Sequence, residues 1–167
     1  SADVTNTPEG ALVQTCWLSA TGRLRALLEL CLRANGADVL VLAGDATAVA
    51  KGFDQVIFPA DRVRLQAVTE QRRVQPLSKT NTALWLDHDS PLPPSWTSNP
   101  ADSKQVERWR IEQRLAVGAG ELNADANPLE LGLADLVSLS KGCFLGQETV
   151  AKLANLGGTK QELRGWI

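Results

Sequence analysis

The 167-residue sequence has no methionine, no tyrosine and a single histidine. That histidine, His88, sits in the polar stretch DHDSPLPPSW, which leaves little for a His-centred triad or an imidazole metal cluster. Cysteine is scarce as well. Cys16, Cys31 and Cys143 are odd in number and form no C-x-x-C arrangement, so no zinc site and no metal ligand set is expected. Thiols in a reducing compartment fit better than a disulfide framework. No apolar run reaches the roughly 18 residues of a membrane span, and the start lacks the charged-then-apolar layout of a signal peptide. Net charge is −2 with no long basic block, which argues against binding nucleic acid through its phosphates. Neither a direct nucleic-acid partner nor a membrane is expected. The chain opens on Ser1 and stops at RGWI, inside an expected strand, and so reads as a fragment or as a chain with further segments.

What is present reads as globular. Apolar content of 44% and charged content of 22% sit near the averages for folded domains, so disorder is not the default. The length suits one domain with a real core, or two small lobes sharing one. ALVQTCWL (11–18), RLRALLELCLR (23–33) and DVLVLAG (38–44) are strand candidates, with SATG and ANGA as hairpin punctuation. Asp45 or Thr47 caps a helix through AVAKGFDQVIF despite Gly52 in its interior. RVRLQAV (62–68) alternates strictly, as a half-buried strand should. Three strands, a helix and a strand make an α+β lobe. A proline-rich connection follows from residue 75, with a short strand, TALWLDH, inside it. Asp102 or Ser103 then caps KQVERWRIEQRLAV, whose Val106, Trp109, Ile111 and Leu115 give a loose apolar face. Gln147 to Leu156 reads as a last helix, ended by Gly157 and Gly158.

Chemistry concentrates in KGCFLGQETVAK, residues 141–152. Cys143 lies between a glycine and an aromatic, two residues from Lys141 and just before a helix N-terminus. Both neighbours favour a thiolate, and the flanking glycines let a ligand approach the backbone closely. A buried, inert cysteine is the plainer alternative. The acidic loop ELNADANPLELGLADL adds carboxylates, of which Asp125 and Asp135 read as solvated. Glu130 is enclosed by Pro128, Leu129, Leu131 and Leu133, so it should be part-buried and must find a donor. Glu112, on the Trp109 helix, either reaches into a cleft or pairs with Arg108 or Lys104. A carboxylate can grip a planar N–H/NH₂ edge with two hydrogen bonds, as found on pterins, guanines and arginine alike. Trp85 and Trp109 are candidates to stack on such a ring, although core anchoring is commoner.

KGCFLGQE closely resembles the K-G-C-[FY]-x-G-Q-E signature of the YgfZ family of folate-binding proteins, which support iron–sulfur cluster assembly or repair. WRIEQRLAVGAGELNADANPLELGL is similar to a stretch this family shares with the glycine-cleavage T-protein, an aminomethyltransferase. TGRLRALLEL and DVLVLAG resemble the family's earlier G-R hairpin and strand. The resemblance implies a T-protein-like folate-binding fold: two α+β lobes around a channel, with the C-terminal barrel absent or lying beyond this sequence. One lobe would span 11–74. The folate lobe would take 1–10 and 75–160, and 161–167 would begin a truncated C-terminal segment. Tetrahydrofolate or a derivative is the implied cofactor. Glu112 takes the pterin-gripping position, Glu130 joins it, and Lys141, Gly142, Gly146 and Gln147 lie on the signature loop with Cys143 as the reactive thiol. Partners would be folate and iron–sulfur client or assembly proteins, with support of tRNA modification downstream. The home would be the cytoplasm, or an organellar matrix in a eukaryote. Two positions depart from the pattern. Arg114 stands where the family helix often has glycine, and Arg25-Ala26 replaces the paired acids of the aminomethyltransferases. The alternatives are a folate-dependent aminomethyl or one-carbon transferase and a non-catalytic interaction module.

Overall fold

The structure, a computed structural model, describes residues 1–77, 83–96, 99–118 and 120–164. Three strands, β1 (Leu12–Leu18), β2 (Leu24–Arg33) and β3 (Gly36–Ala43), pair antiparallel in that order. The mixed periodicity of β2 has a structural cause. The register shifts between Leu27 and Leu28 against β3, and Ala26, Leu27, Leu28 and Glu29 are buried in succession. A bulge of this kind turns neighbouring side chains that strict alternation would separate. One face joins Cys16, Leu18, Leu24 and Leu27 to Leu131, Leu133 and Val150 in the main core. The other packs Ala26 and Leu28 against Val49.

Val49 belongs to helix α1 (Ala46–Asp54), which Asp45 caps by accepting from the N–H groups of Thr47 (2.8 Å) and Ala48 (3.1 Å). Phe53 lies on Trp17 with ring centroids 4.6 Å apart. Gly52 weakens the helix, yet a Cβ there would come within 2.8 Å of the Trp17 ring, so packing excludes a larger residue.

The expected strand at 62–68 is absent: these residues are exposed and join no ladder among the described residues. Alternation makes a segment fit for a sheet, but a strand exists only once a partner satisfies its backbone. The second sheet instead pairs β4 (Arg72–Val74) with β5 (Leu84–Leu86), antiparallel. β5 falls inside the expected 82–88; Thr82 lies outside the described residues.

Helix α2 (Ser103–Glu112) starts at a capping box, in which Asp102 accepts from Gln105 N–H (2.8 Å) and the Gln105 side chain accepts from Asp102 N–H (2.9 Å). It ends before the expected Val117, because Arg114 turns left-handed at φ 56°. Its apolar face is looser than expected, with Val106 and Ile111 both exposed. Helix α3 (Gln147–Leu156) runs between two left-handed glycines, Gly146 and Gly157, as expected.

By contacts the chain forms two compact units, Ser1–Val68 with Ala116–Ile167, and Thr69–Leu115. This partition places residues 116–160 with the three-stranded sheet, whereas the expected lobes grouped them with 75–115. Of the expected C-terminal segment, Leu163 donates its N–H to the Glu130 carbonyl at 2.8 Å; residues 165–167 lie outside the described residues. The fold is a small mixed α/β structure, with three helices and two small sheets among the described residues.

Candidate functional site

The β1–β2 turn, Ser19–Arg23, organises the site. Gly22 at φ 73° closes it, its N–H donating to the Ser19 carbonyl at 2.9 Å. Against this turn rests the start of α3. A Cβ on Gly146 would lie 2.5 Å from the Ser19 carbonyl oxygen and 2.8 Å from the Gly22 Cα; one on Gly22 would meet Thr149 at 3.1 Å. Only a glycine pair allows the turn and the helix entrance to approach so closely. On its other flank the turn holds the acidic loop. Leu24 donates its N–H to the Ala126 carbonyl at 2.9 Å, and the Arg23 guanidinium donates to the Asp125 carbonyl.

Glu130 is 6% exposed and has found its donor, as its apolar neighbours led us to expect. Its Oε2 accepts from Asn127 N–H at 3.0 Å, while Asn127 Oδ1 accepts from the N–H groups of Leu129 (2.9 Å) and Glu130 (3.1 Å). This reciprocal arrangement is the capping-box pattern, written N-x-x-E, holding a single turn. Arg23 lies 3.6 Å from the same Oε2. The carboxylate is thereby engaged in holding the loop. Neither Arg23 nor Asn127 was singled out from the sequence. The N-x-x-E spacing was a readable signal for Asn127; Arg23 was marked only by the G-R pair of the hairpin, which says nothing of its partner.

The signature loop is tied down on either side of its thiol. Phe144 packs against the main core. Phe144 N–H donates to Gln147 Oε1 (3.3 Å), and Gln147 N–H to the Phe144 carbonyl (3.2 Å), so Gln147 latches the loop. Lys141 Nζ stands 5.7 Å from the Phe144 ring centroid, within cation–π range. A Cβ on Gly142 would meet nothing within 4 Å. Between these anchors Cys143 is exposed, whereas Cys16 and Cys31 are 2% and 4% exposed. Burial pushes the Cys16 thiol up to about 12, which leaves it protonated at neutral pH.

Glu112 belongs to the other unit, at the last position of α2. Its Oε1 accepts from Arg108 Nε at 2.9 Å, one turn away on the helix surface. Three residues earlier, the Trp109 indole N–H is buried with no hydrogen-bond partner among the described residues. The carboxylate of Glu112 is part-exposed and turned to Arg108, whereas the indole N–H of Trp109 is buried. On β2, Arg25 is exposed and Ala26 fully buried, so these two positions offer no carboxylate.

Over 66 residues the chain is 44% identical to "Putative transferase At1g60990, chloroplastic" of Arabidopsis thaliana. The match covers 40% of this chain and 15% of that protein, so the chain spans a small part of the relative's length. No family model matches the chain, and no solved structure matches it at a significant level. The relative is chloroplastic by name, and among the described residues no helix is long and apolar enough to cross a membrane. The chain is thus similar, over part of its length, to a protein named as a transferase.

Proposed function

We propose that the protein is a YgfZ-like, T-protein-related accessory factor that binds tetrahydrofolate or a derivative and assists iron–sulfur cluster assembly or repair. In this reading its two α+β lobes surround a channel, Cys143 presents a thiol to an iron–sulfur client or assembly protein, and an organellar matrix is its home. One observation carries the thiol's role: Cys143 alone of the three cysteines is exposed, on a loop anchored at Phe144, Gly146 and Gln147. A loop so held keeps its thiol in place without lining it with bulk, which suits encounter with another macromolecule.

The α2 surface fits the folate. Glu112 offers carboxylate oxygens to a pterin edge, its Arg108 contact being a solvent-exposed ion pair that exchanges readily. Glu130 fits less well, its Oε2 already serving Asn127 and Arg23. Bound folate would supply a one-carbon carrier; the chain's own part is to grip the pterin through Glu112. The deciding experiment is complementation. Cys143→Ser should keep the wild-type melting temperature yet fail to restore iron–sulfur enzyme activity in cells lacking the protein. Full restoration by the serine variant sinks the thiol's role.

The name of the Arabidopsis relative favours a second reading, a folate-dependent one-carbon or aminomethyl transferase. The absence of a carboxylate at Arg25-Ala26 weighs against it, since a guanidinium stays protonated and cannot act as the base. Product formed from a lipoyl-linked donor above a no-protein control would promote it.

A further inference from the structure

The sheet β1-β2-β3 leaves the outer edge of β3 without a ladder partner among the described residues. The hairpin decides which backbone groups stand on that edge. Ala34 and Asn35 form its loop, closed by Arg33 and Gly36, and the closing pair of so short a loop exchanges both of its N–H···O bonds. Alternation then turns the N–H and C=O groups of Gly36, Asp38 and Leu40 inward to β2, and those of Ala37, Val39 and Val41 outward. Leu32 bears out this phase. It faces Ala37 across the ladder, yet its carbonyl accepts from Gly10 N–H at 3.0 Å, on the side away from β3. Val41 packs with Ala26, Leu28 and Val49, so Val39 and Ala37 share its face, the α1 face. Edge strands usually repel a second strand with a lysine, a proline or a bare charge. β3 has no lysine and no proline. Its one ionised side chain, Asp38, accepts from Arg33 Nε at 2.7 Å, and Val39 is 42% exposed.

We propose that this edge is an interface for a second copy of the chain: the two β3 strands pair antiparallel about a two-fold axis at Val39 and join their sheets into one. The register follows from faces and charges. Residues directly opposite share a face, so the axis must pass at a residue and not between two. Centred on Asp38, the pairing sets two carboxylates opposite each other, which is destabilising. Centred on Leu40, it sets Ala37 opposite Ala43. That residue lies past the register shift at Leu27/Leu28 and packs on the main core, so the faces clash. Centred on Val39, the pairing stays within the regular stretch. Val39 meets its counterpart, Ala37 meets Val41 of the second copy, and each pair exchanges both of its N–H···O bonds. All the outward groups of Ala37, Val39 and Val41 are then satisfied, and their apolar side chains lie together on the α1 face. On the opposite face Asp38 flanks Leu40 of the second copy, its charge still answered by Arg33.

Sedimentation equilibrium on the 167-residue chain, over a range of concentrations, tests the interface. The mass should move from that of one chain to that of two as concentration rises, and amide exchange at Ala37, Val39 and Val41 should slow with it. A single-chain mass at every concentration overturns the proposal, as does association that leaves those amides unprotected. Val39→Lys, at an exposed position, should keep the melting temperature of the dilute protein and lose the association. Unchanged association places the contact elsewhere and overturns the edge. In a Cys143→Ser background, Val39→Cys should oxidise to a covalent dimer much faster than Ala37→Cys. Across the axis the two Cα atoms at position 39 stand about 5.5 Å apart, within disulfide range. Those at position 37 are offset by four residues, about 14 Å at about 3.4 Å per residue. Equal rates overturn the register.

Discussion

Replacing Gly146 by alanine separates the close contact beneath the signature loop from the cost of an unusual backbone angle. Three glycines make the comparison. Gly142 has no positive φ and nothing within 4 Å of a built Cβ; Gly132 has φ 70° and open space; Gly146 has φ 80° and a Cβ 2.5 Å from the Ser19 oxygen. Alanine in place of glycine stiffens the unfolded chain, a gain of about 0.4–1 kcal/mol where the native angle permits it. The left-handed region costs an alanine about 1–2 kcal/mol. Overlap with fixed backbone adds about 1–3 kcal/mol. Gly142→Ala should therefore be neutral or slightly stabilising, Gly132→Ala should lose about 1 kcal/mol, and Gly146→Ala about 2–4 kcal/mol. At about 2–4 °C per kcal/mol for a chain this size, the last is a fall in melting temperature of roughly 4–16 °C. Urea unfolding followed by tryptophan fluorescence reads all three. If Gly146→Ala and Gly132→Ala lose the same stability within about 0.5 kcal/mol, the ordinary resolution of additive effects, the turn does not press on the helix entrance and the account of the loop's anchoring fails.

Iodoacetamide treatment of the native protein should label Cys143 well before Cys16 or Cys31. With its pKa at about 12, Cys16 holds only about one thiolate in ten thousand at pH 8, and faster labelling of either buried cysteine would contradict the burial. Cys16 also predicts an alkaline loss of stability. Its thiol rises from 9.0 to about 12 on folding, so the unfolded chain releases its proton first and stability falls as pH climbs from about 9 towards 12. Cys16→Ala should flatten that limb. Glu130→Ala strips the acceptor from Asn127 N–H and should cost about 1–3 kcal/mol in urea unfolding; no change would mean that the capping box is not formed. Glu112→Ala should abolish the rise in melting temperature on adding tetrahydrofolate, at a binding cost of about 1.5–3 kcal/mol for charge-assisted bonds. Equal rises in both proteins would remove Glu112 from the site.

The parts of the fold that could be read in advance are those whose causes are local. Asp45 and Asp102 cap the helices that follow them, and α3 lies between glycines at both ends because a left-handed residue starts and stops it. The end of α2 escaped reading because an arginine occupies the left-handed angle that a glycine would have advertised. The strand expected at 62–68 failed for another reason: alternation describes two faces and says nothing about whether a neighbour exists. At the site, the burial of Glu130 followed from the leucines and proline around it. Its hold on Asn127 was legible in N-x-x-E spacing but passed unread. Arg23 showed only as half of the G-R hairpin; its contact with the Asp125 carbonyl joins residues 102 positions apart and leaves no periodic trace.

That separation bears on when the thiol acquires its setting. The turn at 19–23 emerges early in synthesis, yet the loop segments it clamps arrive only after the whole Thr69–Leu115 unit has been made. Joining ends 102 residues apart forfeits about 4 kcal/mol of chain entropy before any contact returns it, from (3/2)RT ln n. Contacts of this range form slowly. Cys143 should therefore be among the last residues to find its place, and a peptide carrying KGCFLGQE alone would lack the turn that steadies it. Proper presentation of the thiol then doubles as a mark that the turn at 19–23 and the loop at 125–126 have met, so that a partner able to sense that geometry would pass over chains in which they have not.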